Sequence, residues 1–122
     1  MSNPPILQMA ALRASLEIFD EAGMPALAEK SRGLTGYLES LINEIADDRI
    51  SIITPRDPGQ RGCQLSIRVH GSDKSLHQRL VDRGVFADWR EPDVIRVAPV
   101  PLYNSFEDVF RFAQVLKDRL KN

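Results

Sequence analysis

Apolar positions in the first third of this 122-residue chain recur every three or four residues. From Ile6 to about Ala22, the residues Met9, Leu12, Leu16 and Phe19 share one side of a helical projection, which predicts an amphipathic helix. Pro5 suits a first helical turn, Gly23 closes the helix, and Pro25 starts the next. Leu27, Leu34, Leu38, Leu41 and Ile45 form a second stripe, thinned locally by Gly33 and Gly36. Both stripes are expected to pack into a core. The short link between them makes the helices neighbours in space or a sharply bent continuation.

Beyond Asp47, Asp48 and Arg49 the period changes. Ile50 to Thr54 reads as a short strand closed by Pro55, and the segment 56–62, with Pro58, Gly59 and Gly62, reads as a loop. Cys63, Leu65, Ile67 and Val69 alternate with Gln64, Ser66, Arg68 and His70, which predicts a strand with Cys63 on its buried face. A short helix carrying Leu76, Leu80 and Val81 follows, with Gly84 placed to cap it. A brief strand over Val85–Trp89, a turn at 91–93 and a strand from Val94 come next. Asn104 or Ser105 is expected to cap the last helix, with Glu107 or Asp108 completing a capping box. Its predicted buried face is Phe106, Val109, Phe110, Ala113, Leu116 and Leu120. This order implies an α+β fold, a small, mainly antiparallel sheet with helices packed on one face. We expect a single domain over 1–122, with 1–48 a helical lead-in and 49–122 an α/β small domain.

Composition narrows the function classes. Sixteen Lys and Arg against 17 Asp and Glu give a net charge of −1 with no basic tract, so no nucleic-acid partner is expected. A lone cysteine, Cys63, excludes an internal disulfide, and with only His70 and His77 beside it no metal site is credible. No apolar run approaches the roughly 18 residues of a membrane span, and no secretory signal is visible; a cytoplasmic location is expected.

One arginine interrupts an otherwise apolar run, VIRVAPVPL at 94–102. On an extended strand Ile95 and Val97 face one way and Arg96 the other, flanked by Val94 and Ala98. Pro99 and Pro101 cannot donate to a ladder, so the strand stops there. A guanidinium fixed in this way presents a planar fork that matches a carboxylate with two parallel hydrogen bonds. Pairing with an Asp or Glu of the same fold, or reaching out to water, is the plainer account of such an arginine.

The longer run VIRVAPVPLYNSFEDV at 94–109 resembles the closing motif of kynureninases. SNPPI at 2–6, ASLEIF at 14–19, LTGYLE at 34–39, ITP at 53–55 and RGCQL at 61–65 are similar to the same family in the same order. What they match is its C-terminal part. The resemblance implies the C-terminal small domain of a fold-type I pyridoxal-phosphate enzyme, homodimeric in its complete form. That enzyme hydrolyses a carbon–carbon bond of kynurenine or 3-hydroxykynurenine, giving alanine and anthranilate or its hydroxylated form. It further implies that Arg96 binds the substrate's α-carboxylate, that Asn3 lies by the cofactor and the substrate's aromatic ring, and that Ser2 borders them. The family's cofactor lysine belongs to a large domain upstream, and none of Lys30, Lys74, Lys117 or Lys121 stands in its context. A piece starting at the domain boundary is the simplest account, and a naturally short reading frame is the other. The isolated chain is expected to be inactive. A free-standing amino-acid-binding module and an interaction domain without ligand are the competing readings.

Overall fold

The computed structural model describes residues 4–121. Helix α1 (Ile6–Ala22) begins after Pro5, and helix α2 (Met24–Ile45) begins one residue after α1 ends. Gly23 makes the junction at φ +79°, a conformation that a side chain would strain. Its N–H donates to Phe19 O while its carbonyl accepts from Leu27 N, so it serves both helices. α2 buries Leu27, Leu34, Leu38 and Leu41 as its stripe predicts, with Ile42 added and Ile45 half-buried. Buried Thr35 donates its hydroxyl to Ser31 O at 2.9 Å, so that hydroxyl is not stranded.

Four strands follow: β1 (Ile50–Ile52), β2 (Leu65–Val69), β3 (Asp88–Arg90) and β4 (Val94–Val97). They pair antiparallel throughout in the order β1-β2-β4-β3. Their alternation sorts the side chains. Leu65, Ile67, Val69, Ile95 and Val97 are buried, joined by the half-buried Ile50, Ile52 and Trp89. Ser51, Ser66, Arg68, Asp88, Arg90 and Arg96 alternate with these and occupy the other face. α2, α3 (Lys74–Val81) and α4 (Phe106–Leu120) supply the rest of one core through Leu34, Leu38, Leu76, Leu80, Val109 and Leu116. The helices therefore cover one face of the sheet, as the hydrophobic pattern predicts.

α3 is capped by Asp73, whose carboxylate accepts from Ser75 N at 2.8 Å. α4 starts with a full capping box: Ser105 Oγ accepts from Asp108 N at 3.1 Å, and Asp108 Oδ2 accepts from Ser105 N at 2.8 Å. Of the two caps the sequence allows, Ser105 takes the role because Asn104 is turned back on the preceding loop.

Four expectations need correction. α1 has no buried residue, and Met9, Leu12 and Leu16 are exposed. Periodicity marks a face that wants cover, not whether the same chain supplies it. Cys63 lies before β2 rather than within it and is half-buried. The strand expected over Val85–Trp89 forms at Asp88–Arg90 instead, where the ladder to β4 exists. In α4, Phe112 and Val115 are buried, whereas Phe106 and Phe110 are exposed. Phe106 stands at the helix start and meets α2 there: its ring centroid is 5.8 Å from that of Tyr37. A Cβ added to Gly33 would come within 3.3 Å of Phe106 Cζ, so the glycine that thins the α2 stripe admits this ring.

Candidate functional site

Arg96 sits in the middle of β4, between Ser66 on β2 and Asp88 on β3 in register. Its neighbours Ile95 and Val97 are buried among the helices, which places Arg96 on the face that the helices leave open. Of the two apolar residues that flank it on this face, Val94 is buried and Ala98 exposed. The Arg96 side chain itself is 34% exposed, half-sunk into the sheet surface but open to an incoming group.

Residues beyond β4 stiffen the strand's end. Pro99 is buried. Lys30 Nζ on α2 donates to Pro101 O at 2.6 Å. Val100 N donates to Asn104 Oδ1 at 2.8 Å, and Asn104 N returns to Val100 O at 2.8 Å. The proline-rich segment after Arg96 is thus tied at both ends, to α2 and to the turn before α4. Asn104 acts here as a loop brace, and Tyr103 is exposed.

Arg96 is not alone on its face. Nε donates to Asp88 Oδ2 at 2.6 Å, and Nη2 is paired with the same oxygen. Arg90 Nε reaches that oxygen too, at 2.9 Å. The hydrogen bond from Arg96, with Arg90 adding to it, holds the Asp88 carboxyl below the usual aspartate range. Arg68 pairs with Asp93 at 3.3 Å further along the face. The internal acid that would account most plainly for Arg96 is therefore present, yet the pair is not sealed: Asp88 is 48% exposed. Asp88 was not singled out by the sequence, although its place next to the only tryptophan, in a segment expected to be extended, was the available signal.

A cavity of about 310 Å³ opens elsewhere, between the β4 end and the α3–β3 loop, with Val85, Ala98, Asp108 and Arg111 in its wall. Arg96 is not part of that wall. The other candidates are accounted for locally. His77 Nε2 contacts Ala87 O at 2.9 Å, His70 lies 3.4 Å from Ser51 Oγ, and Trp89 Nε1 donates to Glu91 Oε1 at 3.0 Å. Ser2 and Asn3 lie outside the described residues. Among the described residues no cluster of His, Cys, Asp or Glu could hold a metal ion, and no helix is long and apolar enough to cross a membrane.

The residues present do not fit a seat for pyridoxal phosphate. That cofactor requires a lysine amine in a pocket, but Lys30 is committed to the Pro101 carbonyl, Lys74 and Lys121 are exposed, and no lysine lines the cavity.

The fold recurs within larger chains. A NifS-like protein superposes over 99% of this chain with a TM-score of 0.79 at 20% identity, the match taking up 35% of that protein. A structure described as MppP soaked with the product 2-ketoarginine matches 87% of this chain and 31% of its own, with a TM-score of 0.64 at 19% identity. In both, the shared architecture is a small α+β fold that makes up about a third of the longer chain. Sequence specifies which one: the family model for the kynureninase C-terminal domain matches residues 27–116, and the chain belongs to that family. Kynureninase from Myxococcus xanthus is 57% identical over 117 residues, covering 96% of this chain and 28% of the relative. Kynureninase from Koribacter versatilis is 59% identical over 114 residues, covering 93% and 27%, and that from Xanthomonas campestris pv. campestris is 56% identical over 117 residues, covering 93% and 28%. The chain therefore spans a little over a quarter of the length of these relatives.

Proposed function

We propose that this domain provides the substrate-carboxylate clamp of a kynureninase, which hydrolyses kynurenine or 3-hydroxykynurenine to alanine and the corresponding anthranilate. One observation carries this reading: Arg96, within the family's closing motif, stands on an open sheet face with one side of its guanidinium engaged and its outer end free. Two guanidinium groups, Arg90 and Arg96, share the single Asp88 carboxylate, leaving one positive charge for a monoanion. A bidentate arginine–carboxylate pair removes rotational freedom from an amino-acid substrate, which orients the bond to be cleaved.

Pyridoxal phosphate would serve as the electron sink of the complete enzyme, with its anchoring lysine outside this chain. A large domain carrying the cofactor lysine would face the open sheet surface and close over Arg96, while α1 would lay its exposed apolar stripe against it. The uncovered Met9, Leu12 and Leu16 support that arrangement. Asn3 and Ser2, at the start of the chain, would contribute beside the cofactor and the substrate ring, on the strength of the family resemblance. The segment 1–48 would then be the lead-in from the large domain and 49–122 the small domain. The complete enzyme is taken to be a cytoplasmic homodimer, a location with which the free thiol of Cys63 agrees.

The test is Arg96→Lys in a complete kynureninase carrying this domain. Lysine keeps the charge and loses the fork, so KM for kynurenine is expected to rise about tenfold or more. The absorbance of bound cofactor should stay as in the parent. A KM unchanged from the parent removes Arg96 from carboxylate binding.

A further inference from the structure

Asp88 meets Arg96 on one particular edge. A guanidinium offers a side edge, made by Nε and one Nη, and an outer end, made by the two Nη groups. Asp88 Oδ2 takes the side edge, accepting from Nε at 2.6 Å and pairing with Nη2. Among the described residues Nη1 has no protein partner, and Nη2 keeps a second hydrogen. The outer end therefore keeps N–H groups to donate, on a side chain that is 34% exposed.

This contact is poorly suited to holding the fold together. Asp88 lies on the short edge strand β3 and is 48% exposed, and ion pairs in such places contribute little to stability. Its geometric effect is larger. A free arginine has many rotamers, whereas one gripped along its side edge by the residue directly across the ladder has its plane fixed. Arg90 Nε, at 2.9 Å on the same oxygen, gives the Asp88 carboxylate a second hydrogen bond. The hydrogen bond from Arg96 also favours the ionised form of Asp88, holding its carboxyl below the usual aspartate range.

We infer that Asp88 is a positioning residue for substrate specificity: it orients Arg96 so that the outer end of the guanidinium meets an α-carboxylate. The inference rests on the carboxylate-clamp reading of Arg96. It also opposes a rival role for the same residue, that of an internal anion which the substrate must displace. The two roles predict opposite signs.

The experiment uses a complete kynureninase carrying this domain, as holoenzyme, with Asp88→Asn, Asp88→Glu and Arg96→Lys prepared in parallel. If Asp88 positions Arg96, Asp88→Asn raises KM for kynurenine roughly tenfold, the worth of one charge-assisted hydrogen bond, and leaves kcat within about twofold. Inhibition by the carboxamide analogue of kynurenine, which has no carboxylate to orient, stays at the parent level. Asp88→Glu, which keeps the anion on a half-exposed site, recovers most of the loss and carries the test should the Asn variant not fold. A KM that is unchanged or lowered in Asp88→Asn, or a Glu variant that has lost as much as the Asn variant, overturns the positioning role. So does equal weakening of the acid and the carboxamide. If Asp88→Asn fails in this way while Arg96→Lys still raises KM, the clamp stands without its positioner; an unaltered Arg96→Lys overturns the clamp itself.

Discussion

Arg61 Nη1 donates to Glu39 Oε2 at 2.7 Å with only 4% of the arginine side chain exposed. This ion pair ties α2 to the loop before β2. Glu39 is bound on its other oxygen by Arg56, whose Nε lies 3.2 Å from Oε1. Arg61 also reaches Pro55 O, and so fixes both ends of the loop that separates β1 from β2. Burying a guanidinium is costly unless an anion faces it, and breaking such a pair from one side leaves that cost uncompensated. Glu39→Gln is therefore expected to lower unfolding free energy by about 3 kcal/mol in urea titration. Replacing both residues with leucine should cost clearly less than the sum of the two single changes, since neither then leaves a lone charge. Additive losses would show that the pair does not act as a unit.

Acid should weaken the domain within a defined window. The side-chain hydrogen bond from Arg49, reinforced by the Arg49 backbone N–H, lowers the Asp47 pKa from 3.8 to about 2. Asp73, Asp88 and Asp108 are also held below the usual range, chiefly by Ser75, Arg96 and Ser105 respectively. Each carboxyl binds its proton less tightly folded than unfolded. The stability they contribute is fully present above pH 4 and is lost as pH falls towards 2. Thermal midpoints measured from pH 6 down to 2 should be flat at first and then fall. Asp47→Asn should make the fall shallower; an identical profile would remove Asp47 from the acid response.

How much of this could be read from the residues differs by element. α2, β2, β4 and α3 were legible because each carries a buried face of the right period within its own length. The capping box of α4 was legible because caps are local chemistry. The phase of α4 was not: Phe106 and Phe110 continue the helical stripe in sequence, but the face turned to the core carries Phe112 and Val115 instead. The face of Arg96 followed from strand alternation alone. Its partner did not, because the register between β3 and β4 that sets Asp88 opposite Arg96 is decided by the turn at 91–93. α1 shows the opposite limit, where a clear amphipathic pattern has no buried residue behind it.

The isolated chain should neither bind pyridoxal phosphate covalently nor turn over kynurenine. The reason is local: the cavity wall contains no lysine, and the Lys30 amine is held by a carbonyl. After cofactor is added to the purified domain and the excess removed, no pyridoxal-phosphate absorbance is expected to stay with the protein. A new long-wavelength band retained by the protein, or anthranilate released from kynurenine, would contradict this.

The exposed stripe of α1 is expected to behave differently in the domain alone and in a complete kynureninase carrying it. Leu12 and Leu16 lie a little over one helical turn apart, and both are more than half exposed. In the isolated domain, Leu12→Ser with Leu16→Ser removes no buried side chain, so the change in unfolding free energy should stay within about 1 kcal/mol. In a complete kynureninase, where we propose that this face is covered by the large domain, the same pair should destabilise by several kcal/mol, at about 2 or more per buried leucine. Urea titration of both proteins provides the comparison. Equal, small effects in the two contexts would mean that α1 meets water in the complete enzyme as well, and that the large domain docks elsewhere. A large loss in the isolated domain would instead show that α1 packs on its own chain, against the exposure seen at Met9, Leu12 and Leu16.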